Sequence, residues 1–136
     1  MRVDSISGQA VLEIGVGLGC DRYRLARRGN TMTGLDLSRE HLRLTTLHLQ
    51  HEGLATTAVH GDAENMPFPD NSFDVVYSCG VLHHTPDLEM ALSECSRVLR
   101  PGGQFICAVY HRNSICFGLG TMLKNGILKA GFIRHG

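Results

Sequence analysis

A doubly wound α/β domain with a mostly parallel sheet is the fold this sequence predicts. Three observations carry the prediction. Five short apolar runs alternate with segments of helical spacing, and glycine or turn residues close nearly every one. The 136 residues suffice for one such domain with a real core and hardly for two.

The first run, "AVLEI" (Ala10–Ile14), ends in glycines and suits a buried parallel strand. "CDRYRLARRG" sets Tyr23, Leu25 and Ala26 among charges with Gly29 as a stop, so a short helix is expected. "TMTGLDL" (Thr31–Leu37) is a second strand, and Ser38 caps a helix from about Arg39 to His51. "ATTAVH" (Ala55–His60) is a third strand running into Gly61–Asp62. "MPFPDNS" holds two of the four prolines and an Asp-Asn-Ser turn, which predicts a loop.

"FDVVYS" (Phe73–Ser78) is a fourth strand, rich in β-branched and aromatic residues. From about Asp87 to Leu99, a helix should place Leu88, Ala91, Leu92, Cys95 and Leu99 on one face. "RPGG" should stop that helix, and "QFICAVY" (Gln104–Tyr110) is a fifth strand. Strands joined through helices need crossover connections, hence a Rossmann-like, mostly parallel sheet covered on both faces.

Composition narrows the function classes. Lys plus Arg and Asp plus Glu both number 13, so the formal charge is zero and no electrostatic footprint for nucleic acid or an acidic membrane is present. The five cysteines are odd in number, with no Cys-x-x-Cys pair, which is the usage of a reducing compartment. The N-terminal "MRVDSISGQ" lacks a signal-peptide core, and no run approaches the roughly 20 apolar residues that span a bilayer. A cytoplasmic protein without nucleic-acid or membrane partners is the expectation.

Parallel strands point their C-terminal ends at one rim, where ligands of such sheets bind. Three sets of residues meet that rim: Glu13 to Gly19, Asp36, and Asp62 with Ala63. The glycines run Gly15-x-Gly17-x-Gly19, and Cys20 stands where the dinucleotide fingerprint wants its third glycine. Glu13 repels a pyrophosphate: at ~5 Å and an effective dielectric near 20 the penalty is roughly 3 kcal/mol per charge pair. An ammonium or sulfonium is attracted instead, while glycine amides still serve a carboxylate or a ribose. The implied ligand is zwitterionic, bears a sugar and lacks phosphates; S-adenosylmethionine fits.

The sequence resembles the class I S-adenosylmethionine-dependent methyltransferases, especially the small-molecule group that includes ubiquinone-biosynthesis enzymes. "VLEIGVGLG" looks like the family's first motif, "GLDLS" its second, and "GDAENMPFPDNSFDVVYS" its third and fourth, while "GVLHHTPD" and "LRPGGQF" resemble the stretches flanking the fourth and fifth strands. The likeness covers about Ala10 to Tyr110 and implies methyl transfer to a small-molecule acceptor. It implies that Glu13 meets the methionine part of the cofactor, that Gly15, Gly17 and Gly19 form the loop around it, and that Asp36 takes both ribose hydroxyls. Asp62 would accept from the adenine amino group, the Ala63 backbone would read the ring, and Ser78 and Cys79 would border the methionine end.

His83 and His84 follow the fourth strand on the same rim. His83 is the candidate base for a substrate hydroxyl, with packing beside the cofactor or capping a turn as the alternative. His41, His48 and His51 share one helix without suitable further ligands, so no metal site is expected. The sulfonium is intrinsically electrophilic, so in-line alignment can supply ~7–11 kcal/mol of barrier reduction without an obligatory acid–base pair.

Two departures from the family accompany the likeness. The glycine motif begins almost at the N-terminus, and the family's last two strands are absent after "AVYHRNS". The expectation is a truncated or partial domain: a cofactor-binding unit over 1–110 and a helical tail or partial insertion over 111–136. An uncovered fifth strand would invite self-association. The alternatives are a non-catalytic S-adenosylmethionine-binding module and an NAD-dependent oxidoreductase, the latter disfavoured by Cys20 and Glu13.

Overall fold

The computed structural model describes residues 5–108. The 111–136 tail, the boundary after residue 110 and the last two residues of the expected fifth strand lie outside them. The elements run β1 (Ala10–Ile14), α1 (Cys20–Ala26), β2 (Thr31–Asp36), α2 (Arg39–His51), β3 (Thr57–His60), β4 (Phe73–Cys79), α3 (Leu88–Val98) and β5 (Leu99–Ala108). One 3-10 turn, Leu82–His84, follows β4.

The five strands form one parallel sheet in the order β3-β2-β1-β4-β5. The chain steps outward from β1 to β3, then jumps back across β1 to start β4. That reversal makes the C-terminal ends of β1 and β4 the switch point where such sheets bind ligands. Right-handed crossovers in opposite directions put helices on opposite faces.

The core accordingly has two halves. Leu25 and Ala26 of α1 and Leu49 of α2 pack on Val11, Met32, Val75 and Tyr77. On the other face, Ala91, Cys95 and Val98 of α3 pack on Leu12, Ile14, Leu35 and Val76. Period-2 alternation along β1 thus sends Val11 and Leu12 to opposite layers, and places Glu13 on the α1 side.

Helix starts follow their capping residues. Ser38 Oγ accepts from the His41 amide, and Asp87 Oδ1 accepts from the Met90 amide. The buried face of α3 is Ala91, Cys95 and Val98, whereas Leu88 and Leu92 are exposed. The expectation of a stripe through Leu88 and Leu92 is corrected here. Small residues hold the contact line with the sheet, and the larger side chains flank it.

"RPGG" does end α3, but it lies within β5 rather than before it. Leu99 pairs with Phe73, and the register then skips so that Gln104 pairs with Val75. The Arg100–Gly103 stretch bulges out between these pairs, with Gly102 at φ 78°. β3 begins at Thr57 rather than Ala55. The link from β3 to β4 crosses β2 and β1 without a helix, as the proline-rich stretch predicts.

Candidate functional site

A cleft with about 360 Å³ of empty space, its mouth included, opens at the C-terminal ends of the strands. Ile14, Leu35, Leu37, Ala63 and Val81 form apolar walls, and Asp36 and Asp62 stand at its border with Gly15, Gly61 and Thr85. An apolar slot edged by carboxylates suits a flat heterocycle attached to a sugar.

Each acidic residue is oriented by backbone. The Ser38 amide donates to Asp36 Oδ1 at 2.7 Å, while His41 Nδ1 stands 3.6 Å from Oδ2. The Glu64 amide donates to Asp62 Oδ1 at 3.0 Å, which makes Asp62 the head of its turn. Helix initiation and ligand binding are therefore compatible roles for Asp36, using different oxygens.

The cleft needs Gly15. A Cβ there would lie 2.2 Å from Val81 Cγ2, and the residue sits at φ 78°. Glycine lets the loop after β1 press against the turn after β4. The Gly15 amide donates to Leu35 O and the Gly19 amide to Val16 O, so these two amides bond within the protein. Gly17 O accepts from Thr45 Oγ1 on α2 at 3.1 Å, which ties the loop to the helix behind it.

Glu13 lies under this loop, beside the cleft rather than in its lining, and is only 4% exposed. Its register partners are Gly34 on β2 and Tyr77 on β4. Arg22 of α1, 1% exposed, reaches over this row and places Nη1 3.8 Å from Glu13 Oε2. That separation is an ion pair without a hydrogen bond. Burial, opposed by Arg22 and reinforced by Asp21 and Asp36, pushes the Glu13 carboxyl up from 4.5 to about 8. The same burial lowers the pKa of Arg22.

Ser78 is fully buried, its hydroxyl donating to Ile14 O at 3.3 Å. Cys79 is exposed at the end of β4. Neither lines the cleft. His83 sits in the 3-10 turn between the lining residues Val81 and Thr85, its ring 3.9 Å from that of His84. Burial, then His84, lowers its pKa from 6.5, so it is neutral at pH 7.

The structure thus brings Gly15, Asp36, Asp62 and Ala63 together around one cleft. Leu37, Val81 and Thr85 also line it and carry no signal in sequence beyond their places after the strand ends. Arg22 was unforeseen because a cation in an amphipathic helix reads as solvent-facing.

The site belongs to a fold with known relatives. The family described as "Methyltransferase domain" matches residues 12–107. The chain belongs to that family. This methyltransferase domain is 34% identical over 113 residues to a ubiquinone biosynthesis O-methyltransferase of Maricaulis maris, covering 82% of the chain and 44% of that protein. It is 40% identical over 103 residues to a fatty-acid O-methyltransferase of Mycolicibacterium smegmatis, covering 74% of the chain and 37% of that protein. A solved S-adenosylmethionine-dependent methyltransferase from Mesorhizobium loti superposes with a TM-score of 0.71 at 26% identity, over 78% of this chain and 48% of that one. The methyltransferase domain therefore spans less than half the length of each of these three proteins.

Proposed function

We propose that this chain is the S-adenosylmethionine-binding part of an enzyme that methylates a small-molecule acceptor. One observation carries the reading: Asp36 and Asp62 border an apolar slot closed by the Gly15 turn, with the buried acid Glu13 behind that turn. Leu37, Ala63 and Val81 line the slot and Asp36 borders it, which supports an adenine ring between these walls and a ribose at Asp36. Glu13, once ionised, suits a cationic end and disfavours a diphosphate.

In this reading Asp36 takes the ribose hydroxyls through the oxygen that Ser38 leaves unused. Asp62 and the Ala63 backbone receive the adenine edge. Glu13, with Gly15, Gly17 and Gly19 shaping the loop around it, receives the ammonium of the methionine end, and Ser78 and Cys79 mark that side. S-adenosylmethionine, when bound, supplies a methyl group on a sulfonium that is electrophilic without further activation. His83, neutral at pH 7, takes the proton of an acceptor hydroxyl. Alignment and exclusion of water by the loops do the rest.

The relatives named for ubiquinone and fatty-acid methylation favour an acceptor oxygen on an apolar body. Among the described residues no helix is long and apolar enough to cross a membrane. Cys20, Cys79 and Cys107 are exposed free thiols, which supports a reducing cytoplasmic setting. Phe105 on the edge strand β5 is 38% exposed, which supports self-association or cover by another segment there.

Turnover tests the reading. Incubation with S-adenosylmethionine and a panel of phenols and long-chain carboxylic acids should release S-adenosylhomocysteine with at least one acceptor. No release with any acceptor, together with no binding of S-adenosylhomocysteine, contradicts it.

A further inference from the structure

Arg22 is the largest fully buried side chain among the described residues, and its cation needs an explanation. Three acceptor atoms anchor it. Nε and Nη2 both donate to Thr56 Oγ1, and Nη2 also reaches the carbonyls of Met32 and Thr57. Together these fix the guanidinium over β2 and the segment entering β3. The remaining nitrogen, Nη1, is buried without a hydrogen bond and faces Glu13 Oε2, which is likewise buried without one.

Space for this arrangement comes from Gly34. A Cβ there would fall 1.6 Å from Arg22 Nη1. The groups facing Glu13 are Arg22 and Asp21 from α1, Asp36 from β2 and Tyr77 from β4. Tyr77 donates its hydroxyl to Asp21 Oδ2 at 2.6 Å and so remains neutral. Burial and the two aspartates favour the protonated acid. Arg22 supplies the positive charge favouring the carboxylate.

We propose that Arg22 is a positioning residue for the cofactor's cationic end, acting through Glu13: anchored in the Gly34 notch, it favours the carboxylate without donating to the facing oxygen. This rests on the cofactor reading above. At 3.8 Å the guanidinium's charge is felt by the carboxyl without a hydrogen bond that would tie the two groups together. Ligand binding then completes the ionisation of Glu13 and releases a proton.

The test is a carboxyl carbon-13 NMR titration of Glu13 in the wild type and in Arg22→Met, with calorimetric binding of S-adenosylhomocysteine from pH 6 to 9. Arg22→Met should raise the Glu13 midpoint by at least one pH unit. Its affinity should fall at least tenfold near pH 7 and recover toward the wild-type value as pH rises. A purely structural role would lower affinity by one factor at every pH. Should Arg22→Met fail to fold, Arg22→Lys replaces it, keeping the charge but not the forked anchor; a midpoint raised by about half a unit is expected. An unchanged midpoint in the folded variant overturns the proposal. A wild type that binds S-adenosylhomocysteine at no pH overturns the cofactor reading and the positioning role with it, whatever the midpoint.

Discussion

Glu13 and Gly34 stand opposite each other across the β1–β2 ladder, and the space over Gly34 holds the guanidinium that faces the Glu13 carboxyl. Gly34→Ala pushes a methyl group into Arg22 Nη1 and Val16 Cγ1. Overpacking and a displaced buried ion should cost about 3 kcal/mol. Urea denaturation should show the midpoint shift with little change in slope.

Glu13 makes stability pH-dependent in an uncommon direction. Its carboxyl holds the proton to about 8 in the folded chain and to about 4.5 when unfolded. Between these values the folded state binds more protons, so stability is full below the lower one and declines as pH rises through the window. The expected slope is roughly 1.4 kcal/mol per pH unit at most. Glu13→Gln should flatten that decline, whatever it does to overall stability. Thermal unfolding of both proteins from pH 5 to 9 checks the slope.

Asp36 serves both the start of α2 and the cleft. Asp36→Ala should weaken S-adenosylhomocysteine binding at least tenfold by calorimetry. Asp36→Asn can still accept from the Ser38 amide and should fall between the two. If Asn binds as weakly as Ala while both fold normally, charge rather than the fixed turn governs the site.

Arg97 holds the β3–β4 connection just past the cleft residues Asp62 and Ala63. It donates to Phe68 O at 2.7 Å and Met66 O at 3.1 Å, and pairs with Glu94, whose other contact is the Met66 amide. Arg97→Ala unties the β3–β4 connection from α3 and should cost about 2 kcal/mol. Hydrogen exchange should quicken between Gly61 and Ser72, with a smaller loss of ligand affinity than in Asp36→Ala.

Local signals made most of this architecture legible. The apolar runs of β1, β2 and β4, the Ser38 cap and the acids at the strand ends are each set by neighbouring residues, and they assembled the Gly15, Asp36, Asp62 and Ala63 cleft. Features set by distant partners were not legible. The β5 bulge depends on register with β4, and Arg22 depends on a notch in β2. Gly34, an isolated glycine inside a strand, was the available signal, since such a residue marks close approach by another group.

Calorimetric titration with S-adenosylhomocysteine and, separately, with NAD tests the electrostatic reading of the cleft most directly. The expected result is saturable binding of the sulfur nucleoside, abolished or strongly weakened by Asp36→Ala, and no measurable heat with NAD. Saturable binding of NAD with none of S-adenosylhomocysteine would contradict it.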